Sequence, residues 1–239
     1  MNKTVQSLSN YFTVYFTEED FIKKTYYALR PLGFNANNTL ALVCLCRDEI
    51  CQSLINHIHN QWGEAFNLSS LAAIFIAGET ALRAGMSHAP KTEQRRKYVF
   101  YALPHIAISK DLELGKCSRF GIAESTACGA LVGFYNELNK GILNTTFDEN
   151  DAEFSILKGK LLKGLDKKGV SDLLSLTKLT RDITQRSLEG LINQIADPSQ
   201  IDYAMITGIQ IHAEDNNNYV APDISYVVVN GQREEIKLE

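Results

Sequence analysis

Residues 39–46, TLALVCLC, form an unbroken apolar run that passes straight into RDEICQSLINHIHNQW. The run is short, is preceded by Asn residues and shows no polar alternation, so it reads as a strand buried on both faces. Ile50, Leu54, Ile55 and Ile58 then recur at helical spacing, which makes the following segment an amphipathic helix. A buried strand that feeds a helix is the unit of an α/β sheet with parallel strands.

The rest of the first half extends this pattern. Residues 1–31 read as a helical arm: Thr17 offers an N-cap, Glu18, Glu19 and Asp20 an acidic first turn, and Pro31 a stop. LSSLAAIFIAG, 68–78, reads as a second buried strand and Glu79–His88 as a short helix before Pro90. YVFYALPHIAIS, 98–109, is rich in aromatic and β-branched residues and reads as a third strand, broken near its end by Pro104-His105. DLELGKCSRFG reads as a loop, and Ser125 or Thr126 as the cap of a helix that runs to about Lys140. From Asp151 to Ile195 the pattern is helical, residues 204–214 alternate as a strand, and Asn230-Gly231 marks a hairpin turn. The expected fold is therefore α/β: a central, mostly parallel sheet flanked by helices, with a C-terminal hairpin. One domain is expected over 1–239, with 1–31 as the N-terminal arm and 151–239 as a helical segment plus closing strands.

Composition sets limits on partners and compartment. Apolar residues are 45% and charged residues 22% of the 239, ordinary values for a globular chain that buries a core. The formal net charge is −4, which argues against nucleic acid as a partner. The longest apolar window, Leu68–Ala77, spans ten residues, against the ~20 needed to cross a bilayer. Polar residues interrupt each apolar run of the N-terminus, so no secretory core is expected there. Five cysteines, at 44, 46, 51, 117 and 128, are an odd set in a long chain. That suits reduced thiols in the cytoplasm better than a disulfide framework.

Three soft ligands lie at element ends. Cys46 stands at a strand-to-helix junction with Asp48 two residues on. His105 follows Pro104, and Cys128 opens a helix among small neighbours. In open α/β sheets ligands gather at the carboxyl ends of strands. Two thiolates and one imidazole leave a tetrahedral zinc a fourth position for water or substrate. The spacings, 59 and 23 residues, do not by themselves impose a site. Cys44 reads as core, and Cys51 and Cys117 are set aside. His57 and His59 point apart on a helix; His88 can line a pocket or end a helix; His212 has no visible partner. No GxSxG, Walker A or GxGxxG pattern occurs.

The order CRDE, SHAP, RRKYVFYALPHIAIS and SRFGIAESTACGAL resembles the limiting-CO2-inducible B/C family, itself similar to β-type carbonic anhydrases. The resemblance implies zinc held by Cys46, His105 and Cys128, a homodimer, and reversible hydration of CO2 to bicarbonate by a zinc lyase (carbonate dehydratase). The β-type CxDxR pattern is incomplete, because Ile50 stands where the arginine would be. The orienting arginine for a catalytic Asp48 is then expected elsewhere: Arg119 first, Arg47 second. Side chains from 68–78 and 98–109 are expected to wall an apolar CO2 pocket. Two rivals remain open at this level. One is a catalytically silent zinc protein that binds CO2, bicarbonate or a partner; the other uses a cysteine nucleophile with His105 as base.

Overall fold

The structure, a computed structural model, describes residues 8–90, 95–119, 121–165, 169–213 and 217–238. The first third carries β1 (Phe16–Thr17), α1 (Glu18–Leu29), β2 (Thr39–Leu45), α2 (Gln52–Trp62), β3 (Ala65–Asn67) and α3 (Gly78–Ser87). Next come β4 (Arg96–Leu103), β5 (His105–Ile108), β6 (Lys116–Arg119), β7 (Ile122–Thr126) and α4 (Gly129–Lys140). Two helices follow, α5 (Ala152–Leu165) and α6 (Leu173–Ile195). The chain then closes through β8 (Ile201–Ala213), β9 (Asn218–Pro222), β10 (Ser225–Val229) and β11 (Gln232–Ile236).

The sheet is parallel at its centre and antiparallel at its borders. β2 pairs in parallel with β3 and β4, and β4 and β5 both pair in parallel with β8. β9 and β10 pair antiparallel with β8, β1 with β9, and β11 with β10. β8 is the spine. Its first half lies between β4 and β10, and its second half between β5 and β9. Register aligns Cys44 with Ala102 and Leu45 with Leu103, then His105 with Gln210 and Ala107 with His212. The ends of β2 and β4 and the start of β5 therefore meet beside the second half of β8.

Helices cover both faces, as a doubly buried strand requires. Phe21, Ile22, Leu54, Ile58 and Trp62 of α1 and α2 pack on Val43, Tyr101 and Ile206. The buried Trp62 indole donates to Tyr101 Oη at 2.8 Å. On the other face Leu82 and Met86 of α3 and Leu188 and Ile192 of α6 pack on Leu42 and Phe100. A third cluster joins Cys46, Ile106 and Cys128 to Leu131, Leu161 and Ile183 beneath α4, α5 and α6.

Four local expectations differ from the structure. The N-terminal helix occupies only Glu18–Leu29, with Thr17 capping it through Asp20 N–H as expected. Tyr15 and the short β1 precede it, and residues 1–7 of the expected arm lie outside the described residues. Residues 68–78 are not a strand. β3 ends at Asn67, one further parallel bridge joins Ser70 to Cys46, and a tight turn, Leu71–Ala73, follows. The apolar character of that stretch reflects burial of the turn under α5 and α6, which short apolar runs cannot distinguish from strand pairing. The loop expected over 111–121 contains β6, which pairs antiparallel with β7 and is too short and polar to read as a strand from its sequence. The cap of α4 is Cys128, two or three residues past the expected Thr126 or Ser125.

Gly208 sits where β8 passes closest to β9. A Cβ there would lie 2.6 Å from the Ala221 carbonyl oxygen and 3.3 Å from Leu103 Cδ2. Backbone cannot retreat as a flexible side chain does, so Gly208→Ala is expected to cost about 1–3 kcal/mol. A thermal melt reads this as a lowered Tm; an unchanged Tm contradicts the close packing of these strands.

Candidate metal centre

Three segments deliver the candidate ligands to the place where β2 and β4 end and β5 begins. Cys46 directly follows β2, and its Sγ accepts the Ala72 N–H at 3.3 Å. That N–H is aimed by a turn in which Ala72 and Ala73 hold φ of 54° and 60°. Left-handed alanines cost of order 1 kcal/mol or more each and persist only where the surroundings impose them. Ala73 O accepts from Thr184 Oγ1 at 2.9 Å, which pins the turn to α6. His105 opens β5 immediately after Pro104, whose missing N–H interrupts the β4 strand there. Gln210 N–H binds Pro104 O at 2.9 Å and keeps the chain on β8 through the break. Cys128 caps α4 in extended conformation.

The three meet in the interior. Cys46 Sγ and Cys128 Sγ are 3.7 Å apart, and the ligand atoms of Cys46, His105 and Cys128 all lie within 4.8 Å of one another. The sulfurs are polarised around one thiolate. Hydrogen bonds from Cys128 and Cys51 hold Cys46 below the usual thiol range despite its burial. The same bond to Cys46 and burial raise Cys128, opposed by the Leu131 and Ala130 N–H groups at the start of α4. Burial, with Cys46 beside it, raises Cys51.

His105 is wholly buried, and its Nε2 has no hydrogen-bond partner among the described residues. A buried ring nitrogen of this kind is costly unless something fills it. A bare imidazole nitrogen beside two cysteine sulfurs matches the donor set of a soft divalent metal, so the residues fit one.

Asp48 borders this group. Its Oδ2 lies 3.9 Å from His105 Nε2. Arg119 grips it with Nη1 2.8 Å from Oδ1 and Nη2 3.4 Å from Oδ2. Arg119 Nη1 also reaches Glu49 Oε1 at 2.7 Å, and Nη2 donates to Thr126 O. These carboxylates outweigh burial and raise the arginine's pKa further. Asp48 additionally caps the turn at Glu49–Cys51 through Ile50 N–H. Arg47 points elsewhere: its Nη2 pairs with Glu153 at 3.1 Å, and its side chain is 62% exposed against 15% for Arg119.

The remaining titratable candidates divide. Cys44 is buried, with its Sγ 3.4 Å from Ala73 O, and burial pushes its thiol up to about 12. Cys117 lies half-buried on β6. His88 ends α3 in an exposed position and packs edge-on against Phe66. Sequence reasoning missed two residues beside the centre, His212 and Cys51. His212 Nε2 is 3.0 Å from His105 Nδ1 and 4.0 Å from Cys51 Sγ. Burial above all pushes His212 down to about 3. The signal that could have found it is polar: Gln210 and His212 occupy alternate positions between the apolar Ile209, Ile211 and Ala213. Beside the centre a cavity of about 410 Å³ is lined by Arg119, Cys117, Ser53, His212 and Asn218.

The family described as limiting CO2-inducible proteins B/C, β carbonic anhydrases, matches residues 15–229. The crystal structure of limiting CO2-inducible protein LCIB is 32% identical, with 95% of this chain and 96% of that chain covered and a TM-score of 0.80. PtLCIB4, a homolog of LCIB, superposes with a TM-score of 0.84 at 18% identity, over 98% of this chain and 99% of its own. That second likeness is one of fold. No curated protein matches the chain.

The donor geometry predicts how the purified protein should treat cobalt(II), a spectroscopic probe for cysteine-rich tetrahedral sites. Thiolate charge-transfer bands are expected with one equivalent. Cys46→Ala, Cys128→Ala and His105→Ala should each weaken uptake by at least tenfold. Equal uptake by all three variants would mean that the metal binds elsewhere.

Proposed function

The chain belongs to the limiting CO2-inducible B/C family of β carbonic anhydrases, and from that premise we propose that it hydrates CO2 reversibly to bicarbonate at a zinc held by Cys46, His105 and Cys128. The observation that carries the reading is the unpartnered His105 Nε2, enclosed by the two sulfurs and by an arginine-held Asp48. When bound, zinc supplies the Lewis acidity that makes a water nucleophilic near neutral pH. Asp48 is the acceptor that orients this water's hydrogen. Arg119 holds both carboxylate oxygens with its planar fork and would keep Asp48 free to accept that hydrogen when a metal is held by the three ligands. Ala72, Ile74 and Ile106 belong to the apolar cluster around the sulfurs and supply the dry wall against which CO2 rests.

Asp48→Asn should keep its zinc and its fold yet lose about 10²-fold or more in stopped-flow CO2 hydration, the usual scale for a positioned proton acceptor. Arg119→Lys should fall nearly as far, because one ammonium cannot replace the fork. Metal analysis on the same samples separates the readings. Zinc with no hydration in the parent would leave a silent binding protein, and metal-free turnover blocked by a thiol alkylator would favour a cysteine nucleophile.

The protein is further proposed to work as a homodimer in the cytoplasm. Support comes from Ile122, Ile142 and Phe147, large apolar side chains more than half exposed. Light scattering at micromolar concentration should return about twice the chain mass of 26.7 kDa. The single-chain mass would contradict it.

A further inference from the structure

His105 is the one candidate ligand with two possible faces. A neutral imidazole binds metal through whichever nitrogen lacks the proton, and the partner of the other nitrogen decides which that is. Here the other nitrogen faces His212, and His212 leads away from the centre into a buried polar chain.

That chain has a direction, set at its far end. Glu18, the first residue of α1, is 4% exposed and receives Gln210 Nε2 at 2.6 Å. Burial raises its carboxyl, and hydrogen bonds from Ser53, Gln210 and Asn218, with His57 nearby, oppose the rise. A carboxylate only accepts, so the Ser53 hydroxyl proton is committed to it. Ser53 Oγ then offers a lone pair, and Asn218 Nδ2 donates to it at 3.0 Å. The Asn218 amide nitrogen is thus spent on the Glu18 side, and its Oδ1 faces His212 Nδ1 at 2.9 Å. An amide oxygen also only accepts, so His212 carries its proton on Nδ1. With its proton on Nδ1, His212 turns Nε2 to His105 Nδ1 at 3.0 Å and accepts the N–H there. What remains on His105 is Nε2, bare and unpartnered, beside Cys46 and Cys128.

The trio of Cys51, His105 and His212 also lies within 4.8 Å, as a second metal site would. Both nitrogens of His212 are already engaged, one with His105 Nδ1 and the other with Asn218. We propose instead that Glu18 sets the polarity of a hydrogen-bond chain through Ser53, Asn218 and His212 that holds His105 in its Nδ1–H tautomer. Asn218 and His212 are then positioning residues for the metal. The inference rests on the zinc reading above for its purpose, but the tautomer it assigns exists with or without metal.

The test uses the full-length protein labelled with 15N-histidine, with nitrogen–proton correlation spectra before and after zinc, and zinc affinity from chelator competition. In the metal-free protein His105 and His212 are both expected to be protonated on Nδ1. Glu18→Gln replaces the acceptor-only end with a group that also donates. It should mix the tautomers and weaken zinc several-fold. Moving the charge, as Glu18→Gln with Asn218→Asp, puts an acceptor-only group directly on His212 and should restore both tautomer and affinity, which a merely structural role for Glu18 would not produce. His212→Phe should weaken zinc by about 10–100-fold, the usual scale for losing a ligand's orienting partner. His105 protonated on Nε2 in the metal-free parent would overturn the inference. So would unchanged spectra in Glu18→Gln with unchanged zinc affinity. If the parent bound no zinc the proposed function would fail, while the metal-free spectra would still decide the tautomer.

Discussion

β8 is hydrogen-bonded along both edges over nearly its whole length, and the arrangement of the molecule follows from that. A strand in this position exposes no backbone to water, so its thirteen residues can be almost wholly buried. Its parallel neighbours β4 and β5 run to the same edge, with β2 beyond them. That parallelism places Cys46, His105 and His212 together without any loop having to reach across the molecule. The break at Pro104 lets His105 leave the β4 line while remaining on β8.

Burial then governs the chemistry. Thiols, imidazoles and a carboxylate are gathered in an apolar cluster, where each unsatisfied polar atom is costly. The structure meets the cost with directional bonds: Ala72 N–H to Cys46, the helix start of α4 to Cys128, the Arg119 fork to Asp48, His212 to His105. After this accounting one ring nitrogen of the centre stays bare. A metal is the economical occupant of such a position, because it satisfies the nitrogen and the negative sulfur together.

Much of the fold was legible in the sequence because it is written in burial patterns. The apolar run at 39–46, the aromatic strand ended by Pro104-His105, the helices after Asp151 and the Asn230-Gly231 turn all match elements of the structure. The misread stretch at 68–78 is apolar for a different reason: it is a turn enclosed by helices, and hydrophobicity reports enclosure rather than pairing. Cys46, His105 and Cys128 could be named because soft ligands at strand and helix ends are conspicuous. Arg119 could be named only through a resemblance, and its grip on Asp48 depends on a hairpin whose exposed residues carry no pattern. Glu18, Ser53 and Asn218 were illegible as a group. They come from three separate elements, and an acidic first turn at Glu18 reads as ordinary helix capping until the packing of α1 against β8 and β9 is known.

The central claim concerns what the two sulfurs and the bare nitrogen hold, and X-ray absorption at the zinc edge of the purified protein addresses it directly. The account predicts two sulfur scatterers at about 2.3 Å, one imidazole nitrogen at about 2.0–2.1 Å and one further light atom. Zinc surrounded by nitrogen and oxygen alone, or a protein that carries no zinc after purification and reconstitution, would contradict it.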